Sequence, residues 1–279
     1  MLRPLSWRYP LADTANGDRG LLVAEGAEAE VDLRALRQLT PYGLVAWALV
    51  AGHNDRLLVT TRFRLPADPL VQGALARAGV DRVARELLCP VAGAESWPPV
   101  DQGPPTGRAE SPVAVEVEVP CRPVHGDQER SRLRTELTGW LEGTPRSVAQ
   151  LALEATEVLL DNQRDHSGAF DAYVAAGTVR GPRGRRRLEL AVGDSGRGLA
   201  GTATDLDEVL ARRGPLAGLV EAVLGAGGMA VLRSGTLRRT CWPSGPVDLP
   251  LPALRGTLVA LAVPLPEAPS SGTGGPVTR

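Results

Sequence analysis

The 279-residue chain contains no lysine, so all 31 of its cations are arginine. They fall on ordinary surface-like stretches, and the bias reads as genome base composition. Against 32 acidic residues they leave a formal net charge of −1, which excludes the broad positive field of a generic nucleic-acid binder. Histidine is scarce as well, and three residues cannot build a His-rich metal site. The three cysteines, Cys89, Cys121 and Cys241, are far apart and lack metal-ligand spacing. They read as reduced, incidental thiols in a reducing compartment. Long hydrophobic runs are missing too. No stretch approaches the roughly 20 apolar residues of a membrane span. Pro4, Pro10 and Asp13 interrupt the N-terminus where a signal peptide needs an apolar run. The expectation is a cytoplasmic protein with neither membrane nor nucleic acid among its partners.

Hydrophobic residues are nonetheless 43% of the chain, enough for a packed core in each half. The halves are separated by composition. Six prolines lie between Cys89 and Pro112, among Gly, Ser, Asp and Glu, and such a segment holds neither a helix nor a central strand. The predicted organisation is an α/β domain over 1–89, a Pro-rich linker over 90–112, a second domain over 113–266 and a disordered Ser/Gly/Pro tail over 267–279.

In the first half, short strands at 30–36 and 56–61 alternate with helices at 41–50 and 69–78 and one capped by Asp81. That alternation implies a small α/β unit. In the second half, VAVEVEV over 113–119 reads as one half-buried strand. Helices follow over 128–141 and from Thr144-Pro145, with Thr as cap and Pro at the first position, to about Arg164. Strands at 169–179 and 187–193 form a hairpin whose tip carries Arg183, Arg185, Arg186 and Arg187, read as a solvated turn. A helix from Pro215 to Leu224 and strands at 229–234, 237–241 and 257–263 complete an α+β two-layer sandwich.

Two signals carry chemistry. On the helix from Thr144, Val148, Leu151, Ala155 and Val158 form an apolar stripe, Asn162 is its next position, and His166 follows four later. An amide buried there needs partners, since leaving it unpaired costs about 1–3 kcal/mol. An Asn at a helix end also bonds nearby backbone. The second signal is the strand Leu188–Val192 running into Asp194-Ser195-Gly196-Arg197-Gly198. A carboxylate at the edge of the core can accept a hydrogen bond from an adenine amino group, and the glycines let backbone approach a flat ring. Asp-Ser-Gly also suits a plain β-turn.

The order of these signals, Asn-x-x-x-His-Ser, a hairpin, D-x-G-x-G, a Gly-rich loop with a helix, and Gly256-Thr257 opening the last strand, resembles the GHKL superfamily of ATPases with the Bergerat fold. Histidine kinases, gyrase-type enzymes and anti-sigma-factor serine kinases belong to it. The resemblance covers roughly 113–266 and implies ATP and Mg²⁺ as cofactors. It implies that Asn162 coordinates the Mg²⁺ bridging the phosphates, with His166 nearby in the binding set. Asp194 binds the adenine amino group, Gly196 and Gly198 shape its pocket, and Thr257 lies near Asp194. Gly214 offers helix N-terminal amides to a phosphate. The sequence departs from the family at two places. The catalytic glutamate expected four residues before the Asn is replaced by Val158, leaving Glu157 and Glu154 as substitutes. The closing glycine box reads Arg213-Gly214-Pro215-Leu216-Ala217-Gly218-Leu219, with its glycines too widely spaced.

The first half is similar to a STAS domain, the fold of anti-sigma-factor antagonists, over Val31–Leu36, Leu39–Leu44, RLLVTT and LARAGVDRV. Tyr42 precedes Gly43 where that family has its phospho-acceptor serine, and Thr40 reads as a helix cap. Together the resemblances imply an ATP-binding regulatory protein acting as a nucleotide-dependent switch on a protein partner. Its activity would be that of a slow ATPase or protein serine/threonine kinase. Family regulators often pair as homodimers. The alternative is a catalytically degenerate protein-binding scaffold that uses the fold without nucleotide turnover.

Overall fold

The computed structural model describes residues 28–34, 38–56, 59–87, 89, 91–92, 114–167, 172–180, 185–198, 210 and 214–266. Most of the predicted linker, the tail, Arg183, Arg213 and most of the loop over 199–213 lie outside these residues.

In the first half, β1 (Glu28–Asp32), β3 (Thr60–Arg64) and β4 (Val91–Ala92) form a parallel three-stranded sheet in the order β1-β3-β4. Three helices connect these strands: α1 (Pro41–Arg56), α2 (Pro69–Arg77) and α3 (Val80–Glu86). Asp68 caps α2 by accepting the Leu70 N–H at 2.8 Å. Three predicted boundaries move. Helix α1 runs to Arg56, so the strand expected at 56–61 starts only at Thr60. Gly79, in the left-handed region at φ 93°, precedes α3, while Asp81 lies inside its first turn, paired with Arg85. Val91–Ala92, assigned to the linker, pairs with Phe63–Arg64.

In the second half, β6 (Val119–Val124), β7 (Ala172–Arg180), β8 (Arg186–Asp194), β9 (Met229–Trp242) and β10 (Gly245–Pro264) form an antiparallel sheet in the order β6-β7-β8-β10-β9. The helices α4 (Asp127–Trp140), α5 (Arg146–Asn162) and α6 (Pro215–Gly225) pack on one face, sharing a core with Leu190 and Val192 of β8 and Val259 and Leu261 of β10. This is the mixed α and β architecture expected for the second half. The strands predicted at 229–234 and 237–241 are one strand, and β10 starts at Gly245 because both extend into a ribbon beyond the sheet. Arg239 holds that ribbon through two 2.7 Å bonds to Asp248. The VAVEVEV stretch is two strands. β5 (Ala114–Val115) pairs in parallel with β2 (Gln38–Leu39), and the chain then crosses to pair β6 with β7. The Glu116 N–H donates to Leu39 and the Glu118 N–H to Ala176, so the handover takes place between these residues. Helix α5 is preceded by Pro145 at the cap position without a side-chain cap bond, and Thr144 does not serve as cap.

The other face of the sheet is covered by α1. Twelve of its sixteen residues are buried, on all sides of the helix, as befits a helix in the middle of a protein. Trp47, Leu44 and Leu49 share a core with Ala175, Ala191 and Ala260 of the central strands. The small side chains form a floor on which a bulky helix can lie. At Gly193 a Cβ would stand 2.7 Å from a Leu49 methyl and 2.8 Å from a Val45 methyl, so the glycine sets the helix-to-sheet distance. The two predicted domains therefore meet in one continuous hydrophobic core across α1 and the sheet.

The contact also fixes a charge. Glu189 points from β8 toward α1 and is 1% exposed. It accepts the Tyr42 N–H at 2.8 Å and is hydrogen-bonded by the Thr40 hydroxyl. Thr40 in turn accepts the Gly43 N–H, confirming its capping role. At 1% exposure its hydroxyl is closed to a phosphate donor. Burial pushes the Glu189 carboxyl up to about 7, against the lowering effect of the Tyr42 amide.

Candidate functional site

Strand alternation puts the Asp194 side chain on the same face as Leu190 and Val192, the face covered by α5 and α6. Asp194 is 4% exposed. Directly across the ladder is Thr257, which shares a face with Val259 and Leu261. The buried carboxylate and the buried hydroxyl are thus cross-strand neighbours at the rim of the sheet, under the helices. Thr257 also pairs with Ser234 of β9 on its other side. This places three polar side chains from three adjacent strands in one row.

The loop after β8 is tightly built. The Gly196 N–H donates to Asp194 Oδ1 at 2.8 Å, a short Asx-type turn. Positive φ falls at Gly198 (81°) and Gly256 (104°). A Cβ at Gly256 would lie 1.8 Å from the Asp194 carbonyl oxygen, and one at Gly198 would lie 2.6 Å from Ser234 Oγ. Both must be glycine for β10 and the loop to approach this closely. Gly196 contributes through its N–H.

The predicted positions on α5 shift. Its buried stripe is Ala152, Ala155, Thr156, Leu159 and Leu160, and Gln163, at the start of a π-helical turn over Gln163–Ser167, is buried with it. That stripe is turned by roughly a quarter of the helix from the predicted one. Asn162 therefore stands on the flank, half-buried at the last α-helical residue, and Gln163 is the buried amide. Spacing of three and four residues defines a stripe but not which column is central. The central column depends on what packs against it. His166 lies in the π turn, and its side chain is outside the described residues. Gly214 precedes α6 with extended backbone (φ −76°) and no side-chain cap, leaving first-turn amides of α6 to other partners. Helices α5 and α6 pack on each other over the same sheet face.

The two substitute glutamates point elsewhere. Glu154 is exposed and accepts from Gln150 at 2.8 Å. Glu157 is ion-paired with Arg130 of α4, which also donates to Asp161 at 2.7 Å. The Arg130 hydrogen bond holds the Asp161 carboxyl below its usual range. Glu157 thus belongs to an ion-pair network with Arg130, Arg134 and Asp161, Glu154 lies outside it, and neither carboxylate is directed at the sheet.

The structure also brings in a residue with no sequence signal. Arg56, the last residue of α1, donates from its guanidinium to the Ser195 carbonyl and, at 2.7 Å, to Ser195 Oγ. The two residues are 139 positions apart. Among the described residues no group of three His, Cys, Asp or Glu side chains could hold a metal ion, and no helix is long and apolar enough to cross a membrane. The three cysteines are free thiols, and burial pushes that of Cys89 up to about 11. Compared with known proteins, the chain matches no family model, no curated protein and no solved structure.

Proposed function

We propose that this chain binds ATP at the end of β8 and acts as a nucleotide-dependent regulator of a protein partner, in the manner of a GHKL-type module joined to a STAS-like first half. One observation carries the reading. Asp194 and Thr257 are opposed on the helix-covered face, beside two glycines that admit no side chain. A carboxylate and a hydroxyl so placed suit the exocyclic amine and adjacent ring nitrogen of adenine, and the close packing of the glycines holds the two side chains' strands in register.

In this reading Asn162, at the end of α5, supplies one amide oxygen to Mg²⁺. Such an ion usually takes one or two protein ligands and fills the rest of its shell with phosphate oxygens and water. The ion would neutralise phosphate charge. Gly214 and the first turn of α6 offer backbone N–H groups to a phosphate. The positions of Glu154 and Glu157 favour binding over turnover, since neither carboxylate is directed toward the sheet end where the nucleotide would lie.

Isothermal titration of Mg-ADP and a non-hydrolysable ATP analogue into wild type and Asp194→Asn tests the reading. It expects micromolar binding by wild type and none by the variant. No heat with wild type would leave the scaffold alternative, a Bergerat-like fold that holds no nucleotide. A turnover assay separates the rest: brisk hydrolysis would mean that a carboxylate reaches the site after rearrangement.

A further inference from the structure

The end of α1 touches the proposed adenine loop, and the docking of the helix explains why. From Tyr42, whose N–H is held by Glu189, to Arg56 the helix rises about 21 Å. From Glu189 to Ser195 the strand advances about 20 Å. Helix and strand meet at the Glu189 contact, touch again at Gly193, where Val45 and Leu49 pack, and meet a third time where Arg56 reaches Ser195. These three contacts run from the start of α1 to its last residue, so the docking of the helix on the sheet is what brings Arg56 to Ser195.

The rest of the loop is fixed from within the second half. Asp194 is held by pairing with Thr257, Gly196 by the Asp194 carboxylate, and Gly198 by its tight fit against Ser234 and Gly256. For Ser195, the first half of the chain supplies the hold. Its carbonyl and hydroxyl both accept from one planar guanidinium, a two-point grip that fixes orientation as well as position.

We propose that Arg56 is a positioning residue for the adenine loop, so that the docking of the first half sets the nucleotide affinity of the second. The inference rests on the nucleotide reading of Asp194. Arg56 touches no ligand in this scheme. It acts by holding Ser195 so that Asp194 and Gly196 keep their geometry before a nucleotide arrives, which spares the binding step the cost of ordering the loop. Any partner that shifts α1 along β8 would release the grip and weaken binding.

The test uses the full chain and Mg-ADP calorimetry on wild type, Arg56→Ala, Arg56→Lys, Ser195→Ala and the double variant Arg56→Ala/Ser195→Ala, with melting curves and hydrogen exchange across 195–198. Losing two ordinary hydrogen bonds predicts about tenfold weaker binding for Arg56→Ala. Arg56→Lys should recover part of the loss through one donor. The double variant should be no weaker than Arg56→Ala, since the hydroxyl contact that Ser195→Ala removes is already lost with the guanidinium. Melting temperatures should move little, and exchange should rise at the loop alone. Wild-type affinity in Arg56→Ala would overturn the inference while leaving the nucleotide reading intact. No binding by wild type would overturn that reading and the affinity role with it. Exchange then judges the grip alone, which falls if Arg56→Ala leaves the loop amides unchanged.

Discussion

Replacing Glu189 by Gln should flatten the pH dependence of folding between about pH 4.5 and 7. The carboxyl is wholly buried where α1 meets β8, and burial raises it from an ordinary 4.5 to about 7. Each tenfold change in proton affinity corresponds to about 1.4 kcal/mol, so ionising this group costs the folded state about 3 kcal/mol. Because the folded protein binds the proton more tightly, the stabilisation is fully present below pH 4.5. It is lost as pH rises through 7. Glu116 sits nearby and is also raised, chiefly by burial, so it adds to the same slope, while Arg187 opposes it. Subtracting the variant's profile from that of wild type isolates position 189. Glutamine keeps the size and an acceptor for the Tyr42 N–H but carries no proton to titrate. Urea unfolding at pH 5 and pH 8, followed by tryptophan fluorescence and circular dichroism, should show wild type losing about 2.5 kcal/mol more than the variant. Parallel profiles would refute the assignment. They would mean that Glu189 reaches water, or that the amides at the start of α1 stabilise its charge enough to cancel the burial cost.

Gly256→Ala should destabilise by about 3 kcal/mol or more and broaden thermal melting, because its Cβ would strike the Asp194 carbonyl from a positive-φ backbone. Gly193→Ala should cost about 1–3 kcal/mol, read as a lower urea midpoint, since the Val45 and Leu49 side chains can yield where a carbonyl cannot. Glu157→Gln should leave Mg-ADP affinity unchanged and lower stability by about 1 kcal/mol or less, as expected for a half-exposed ion pair. A fragment spanning 113–266 should self-associate in ultracentrifugation, because it uncovers the apolar floor on which α1 lies.

Much of the architecture is legible from local pattern. The apolar periods and the prolines at 41, 69 and 215 identify most helices and strands, and Asp194 stands at a strand end as expected, whereas the Gly256-Thr257 pair, expected to open the last strand, lies inside β10. Strand ends and glycines follow from short-range sterics, and these travel with the sequence. Other features needed the packed molecule. The continuous apolar runs of β7, β8 and β10 announce strands buried on both faces, yet nothing in them says that the second cover is a helix from the other side of a Pro-rich segment. Spacing alone places the stripe on α5 one column off, because sheet and neighbouring helices together decide which column is central, placing Gln163 inside and Asn162 on the flank. The pairing of Glu157 is invisible in local sequence because its partner Arg130 lies 27 residues away on α4. Arg56 gives no motif at all. Its meeting with Ser195 is a consequence of the docking of α1 along β8, which exists only once helix and sheet are packed together.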